Sequence, residues 1–225
     1  MANEKIQDKD AIRQENIEQG VSKAQEWLDN NKKTLYTILG VAVVLALIIL
    51  AFVKFVYQPK CEEAQEQTFP AEMNFQKGEY ELALNGDGNV LGFSEIIDTY
   101  GTKAGKAVYL YAGICQLQLG NFEEAIKFLQ KYSGKEPILS ARAKACEGDA
   151  YVGLGQYDAA IKCFQAAAAK GDDLFAAGYL LKEGLAWEKL GDKAAALAAY
   201  KKISDMYPQS LEAYDIDKYI SRVSE

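Results

Sequence analysis

One phrase of eleven residues is written three times in this chain: LGNFEEAIKFL at Leu119–Leu129, LGQYDAAIKCF at Leu154–Phe164 and LGDKAAALAAY at Leu190–Tyr200. Its glycines, Gly120, Gly155 and Gly191, stand 35 and 36 residues apart. A period in this range points to stacked helix pairs, a solenoid rather than a closed domain, because one pair cannot bury its apolar face alone. Seven residues before each turn glycine stands a second one, Gly113, Gly148 and Gly184; five residues after it stands Ala125, Ala160 or Ala196. Four residues further comes a large residue, Leu129, Phe164 or Tyr200. Two antiparallel helices that pack closely need small residues at their crossing, so Gly113 is expected to face Ala125, Gly148 to face Ala160 and Gly184 to face Ala196. The turn glycine supplies the left-handed cap that ends the first helix. Phe122 and Tyr157 are expected to tuck under their turns, with Lys193 in that slot in the last unit, and Pro137 and Pro208 close two of the units.

These slots resemble the tetratricopeptide repeat, a helix-turn-helix unit of about 34 residues. The aromatic residue near the end of the first helix is present as Tyr151 and Trp187, while the first unit carries Gln116 there. The units are placed at residues 106–139, 141–174 and 177–210. A degenerate unit precedes them over residues 64–100: Gly78, Tyr80 and Ala83 repeat the turn, and a loop at Asn85–Gly92 splits its second helix before Phe93, Ile96, Ile97 and Tyr100. A terminal helix over residues 211–223, carrying Leu211, Tyr214, Ile216, Tyr219, Ile220 and Val223, is expected to cover the open end. The expected fold class is all-α: a superhelix of three clear repeats, a degenerate first repeat and a capping helix, preceded by one transmembrane helix.

That helix is read from LYTILGVAVVLALIILAFV, the 19 uncharged residues from Leu35 to Val53. About 20 apolar residues cross a hydrocarbon core of about 30 Å, and only a helix satisfies its own backbone there. Tyr36 and Tyr57 stand at the two ends, and Lys32, Lys33, Lys54 and Lys60 flank the run. The run starts too late and is too long for a cleaved leader, and no A-x-A-like site follows it, so a retained signal anchor over residues 34–57 is expected. Lys23, Lys32 and Lys33 before the span against Lys54 and Lys60 after it favour a cytoplasmic N-terminus. Residues 1–33 place Ile17, Val21, Ala24 and Leu28 at helical spacing, an amphipathic tail broken at Asp29-Asn30-Asn31. The third segment, residues 58–225, is the repeat domain.

The chain contains no histidine, which removes the usual metal ligand and the usual general base near neutral pH. No cofactor, metal or catalytic residue is expected. Residues 58–225 hold 18 basic and 25 acidic side chains, a balance that disfavours nucleic acid, which is bound through a basic stripe. Cys61, Cys115, Cys146 and Cys163 form no CxxC and read as small apolar helix residues, although Cys115 and Cys146 lie on first helices of adjacent units, where a bridge is conceivable. NGDGNVLGFSE departs from a calcium loop at Val90 and Ile96. Gly101–Lys106 is one residue short of a phosphate loop and has Ala107 where its hydroxyl belongs. The acidic pairs Glu123-Glu124 and Asp172-Asp173 sit at turn or helix-start positions, where they favour the helix dipole.

Tetratricopeptide arrays bind peptides or partner proteins along the face lined by their first helices, and this resemblance assigns a groove to Leu110, Ile114, Leu117, Arg142, Asp149, Leu181, Leu185 and Glu188. Only Arg142 among the matching slots suits a clamp for a terminal carboxylate. Short tail, single anchor and acidic repeat domain together resemble the YfgM-like bacterial inner-membrane proteins. That resemblance implies a periplasmic, non-enzymatic scaffold near the Sec translocon and periplasmic chaperones. Two alternatives stay open: a cytosol-facing receptor or adaptor on a membrane, and an enzyme using the array as a platform.

Overall fold

The computed structural model describes residues 2–170 and 173–224. The side chains of Ile17 and Ala24, and Asp172 of the second acidic pair, lie outside the described residues. The chain divides into two compact units, Met1–Pro59 and Lys60–Glu225.

The first unit is one helix, α1 (Ala2–Phe52), ending in a π-helical turn at Val53–Tyr57. The expected break at Asp29-Asn30-Asn31 does not occur. These residues are only mildly poor helix formers, and the Asn31 amide donates to the Trp27 carbonyl at 2.8 Å, one turn back. Every large apolar side chain from Ile38 to Leu50 is exposed. Within it lies an apolar segment long enough to cross a membrane by length and composition.

The second unit begins within α2 (Gln58–Gln76). The first repeat continues with α3 (Tyr80–Asn85) and α4 (Phe93–Tyr100), split by a loop closed by a bridge between Gly86 and Leu91. Asp87 shapes the loop tip by accepting the Asn89 and Val90 amides at 2.8 and 2.9 Å, the hydrogen bonding of an Asx-type turn. Three helix pairs follow: α5 (Ala107–Gln118) with α6 (Phe122–Lys131), α7 (Pro137–Gly153) with α8 (Tyr157–Ala168), and α9 (Asp173–Leu190) with α10 (Lys193–Met206). Each pair packs on the next, α6 on α7 and α8 on α9. The end is covered by two short helices, α11 (Leu211–Tyr214) and α12 (Ile216–Ser224), where one was expected; α12 lies on α10.

The three turns share one geometry. Gly120, Gly155 and Gly191 have φ of 79°, 71° and 81°, open to glycine at no steric cost. Two backbone bonds close each helix end: Gly155 donates to the Val152 carbonyl at 2.9 Å and Gln156 to the Tyr151 carbonyl at 2.8 Å, a Schellman cap that repeats after α5 and α9.

The helix crossings correct the expected pairing. A Cβ added to Gly113, Gly148 or Gly184 would meet Leu129 at 2.6 Å, Phe164 at 2.6 Å and Tyr200 at 2.2 Å. The glycine therefore seats the large residue of the second helix, one turn beyond the alanine. Ala125, Ala160 and Ala196 are fully buried and close the same joint. Phe122 packs against the core of its own repeat and reaches beyond it. Its ring lies where a Cβ on Gly153 would be, at 2.5 Å, so it also seals the junction with the following repeat.

Leu110 and Ile114 are corrected as well. They are buried in a core cluster with Ala125, Ile126, Leu129 and Ala143, where α5 meets α6 and α7, and they line no open surface. Burying each such side chain is worth about 1.5–3 kcal/mol, so that junction takes them in preference to solvent. All four cysteines are free. Burial pushes the Cys115 thiol up to about 12 and the Cys163 thiol up to about 11, the behaviour of packing residues rather than nucleophiles.

Candidate partner-binding groove

First helices run side by side in a stack of pairs, so residues seven apart on one helix recur on the same face. On α7 that face carries Arg142 and Asp149, with Val152 one turn beyond. On α9 it carries Lys182 and Lys189, with Leu185 between them. The two rows meet at an open slot of about 270 Å³ lined by Asp149, Val152, Tyr157, Phe164, Lys182, Leu185, Ala186 and Lys189. Its walls are almost wholly apolar.

Electrostatics fix one side of the slot. The Lys182 ammonium donates to both carboxylate oxygens of Asp149, at 2.8 and 2.7 Å, linking two repeats across 33 residues of chain. It also stands 5.9 Å from the Phe164 ring centre, a favourable position over an aromatic face. Both charged side chains keep solvent contact, so the pair acts more as a geometric strut than as a large source of stability.

The sequence-assigned groove residues separate into three sets. Asp149 and Leu185 meet at the slot, and Arg142 is exposed farther along α7. Leu117 and Leu181 are half-buried and pack against core clusters, Leu117 beside the buried Leu110 and Ile114 and Leu181 beside Leu180 and Tyr200. Glu188 is turned away to the end of the stack, where its Oε1 accepts from the Tyr200 hydroxyl and from Arg222 at 2.6 Å. The slot's other lining residues include Val152, Tyr157, Phe164, Lys182 and Lys189, which the sequence did not assign to the groove. Helical spacing from Asp149 and Leu185 would have found three of them, since Val152, Lys182 and Lys189 lie three or four positions away on the same faces.

Beneath the groove the repeats are joined by buried carboxylates. Gln130 donates to Glu147 at 2.9 Å, and one repeat later Gln165 donates to Glu183 at 2.7 Å. Glu147 and Glu183 are only 4% and 3% exposed, so each would be costly without its amide partner. Lys144 completes Glu147 at 2.6 Å, and the Trp187 indole adds a long bond of 3.3 Å to Glu183. Burial works against charge on Lys144, but its bond to Glu147 holds its ammonium above the ordinary lysine value. No group of three or more ligating side chains suited to a metal occurs among the described residues.

Helix pairs in register, Schellman turns at a constant period and glycine seats for large residues define a tetratricopeptide repeat array. Residues 107–137 and 147–210 each match a tetratricopeptide repeat family model, and this part of the chain is built of tetratricopeptide repeats. Among solved structures, the crystal structure of MamA protein superimposes with a TM-score of 0.54 at 21% identity, covering 72% of this chain and 87% of that one. At that identity the likeness is one of fold. No curated protein matches the sequence.

Proposed function

We propose that this protein is a membrane-anchored, non-enzymatic scaffold that holds a segment of a partner protein along α7 and α9. Tetratricopeptide repeats support protein–protein interaction, and the observation that carries this reading is the open apolar slot with ionic groups at its rim. Catalysis would call for a nucleophile or an acid–base pair placed to react. Here the buried thiols are held protonated, and the buried carboxylates Glu147 and Glu183 accept structural amides.

Residues 1–33 form a cytoplasmic tail, residues 34–57 the anchor and residues 58–225 the periplasmic repeat domain, at a bacterial inner membrane. The charge-free span and its lysine flanks support this arrangement. Partners near the Sec translocon or among periplasmic chaperones rest on the resemblance in layout alone. Protease treatment of spheroplasts tests the topology: digestion of the repeat domain from outside is expected, with the N-terminal tail protected. Digestion of the repeat domain only from the cytoplasmic side would establish the cytosol-facing alternative. Photo-crosslinkers at Arg142 and, on second helices, at Lys127 and Lys162 test the groove. Crosslinks from Arg142 are expected; crosslinks from Lys127 and Lys162 alone would overturn it.

A further inference from the structure

The slot between α7 and α9 is specific enough to name what enters it. Val152 and Leu185 are each 38% exposed on its walls, apolar surface that the fold leaves uncovered. Its volume of about 270 Å³ falls at or below the small end of ligand pockets, roughly 300–1,000 Å³, and suits a single large side chain. Its apolar walls offer water few hydrogen bonds, so water there is readily displaced.

Charge selects what accompanies that side chain. Asp149 and Lys182 neutralise each other at one part of the rim, with both carboxylate oxygens engaged. Glu188, adjacent to Lys189 in sequence, is held by Tyr200 and Arg222. Among the described residues that line the slot, Lys189 is therefore the rim charge left to a visitor, within a domain whose balance of 18 basic and 25 acidic side chains is net acidic.

Resting on the scaffold reading above, we infer that this slot anchors a partner segment presenting one large apolar side chain followed by acidic side chains. The apolar group enters against Val152, Phe164 and Leu185, and a carboxylate meets Lys189. The charge recognised is that of a side chain, so a free C-terminus is not required. This is a docking site at one inter-repeat junction, distinct from the residues buried at the preceding one.

The test uses the full-length protein in detergent micelles at about 50 mM salt, where rim charges are weakly screened. Three fluorescent peptides blocked at both ends are compared by anisotropy: Gly-Ser-Phe-Ser-Glu-Glu-Ser-Gly, the same with Lys for both Glu, and the same with Ser for Phe. The acidic peptide is expected to bind. Replacing Phe should weaken it at least about tenfold, from the apolar area lost. Replacing Glu by Lys should weaken it about fivefold, the upper range for an exposed pair. Lys189→Glu should invert the preference between the acidic and basic peptides, and Leu185→Glu should remove binding while far-UV dichroism at the assay temperature shows the domain still folded. Absence of acidic-peptide binding up to about 1 mM, or a charge preference that Lys189→Glu leaves unaltered, overturns the inference. If Arg142 crosslinks persist in Leu185→Glu, the scaffold reading stands and the slot assignment falls; if wild-type protein gives no groove crosslinks, the scaffold reading itself falls.

Discussion

Two glycines on one helix should respond to the same substitution with opposite signs. Gly178 and Gly184 both lie in α9, and in each case alanine gains about 1 kcal/mol of intrinsic helix propensity. At Gly178 the new methyl group meets only the Glu212 carboxylate tip, at 3.1 Å, and that end of a flexible side chain can swing away. Gly178→Ala should therefore be neutral or stabilise by up to about 1 kcal/mol. At Gly184 the methyl would lie 2.2 Å from one Tyr200 ring carbon and 2.7 Å from two others. Tyr200 is fully buried, packed against Tyr219 at 5.5 Å between ring centres, and its hydroxyl is tied to Glu188. The ring would have to retreat by roughly 1 Å, enough to forfeit much of its packing. Overpacking costs about 1–3 kcal/mol and loss of a hydrogen bond to a charged group about 1.5–3 kcal/mol, both larger than the propensity gain. A net loss of about 2 kcal/mol or more should lower the melting temperature by about 4–8 °C for a domain of this size. Far-UV dichroism of the full chain in detergent, with Trp187 fluorescence reporting the joint, would read both variants. Gly184→Ala as stable as wild type, or both substitutions shifting stability in one direction, would refute the seating argument. Tyr200→Leu should recover part of the Gly184→Ala loss, since contacting sites couple.

Gln165→Ala should destabilise by about 1–3 kcal/mol, because it strips Glu183 of its short amide bond and leaves a second oxygen that already lacks a hydrogen-bond partner; chemical denaturation measures it. Burial raises the Glu188 pKa, but Arg222 and Tyr200 outweigh it and hold the carboxyl below its ordinary 4.5. Its stabilising contribution is therefore present above pH 4.5 and is lost as pH falls through the lower folded value. Arg222→Ala should flatten that part of the acid melting curve, and an unchanged curve would count against the cap lock. A thiol reagent at pH 8 should modify half-buried Cys61 well before Cys115 and Cys163, whose thiolates are suppressed by burial; comparable rates would contradict the packing.

The repeat architecture was legible because its punctuation is local. A turn glycine at positive φ and a Schellman cap depend on a few neighbouring residues, so Gly120, Gly155 and Gly191 announce their turns in any context. The seat of the crossing was less legible. Spacing shows that Gly148, Ala160 and Phe164 meet at one joint, yet which of the two covers the glycine depends on how far one helix slides along the other. The break assigned to Asp29-Asn30-Asn31 failed for a related reason: propensity differences of tenths of a kcal/mol yield to a helix that has no competing fold.

For the groove, the sequence by itself determined the register of the first helices and hence that Arg142, Asp149 and Leu185 share their faces with unspecified neighbours. Only tertiary structure decided that Leu110 and Ile114 are core, that Glu188 belongs to the end cap, and that Lys182 reaches Asp149 while Lys189 is left at the rim. Helical periodicity states the direction in which a side chain leaves its own axis. Whether a neighbour stands in that direction depends on the rotation and spacing between repeats, set by the combined packing of α6 on α7, α8 on α9 and α12 on α10. Exposure is thus a property of pairs of helices, and no single stretch of the chain contains it.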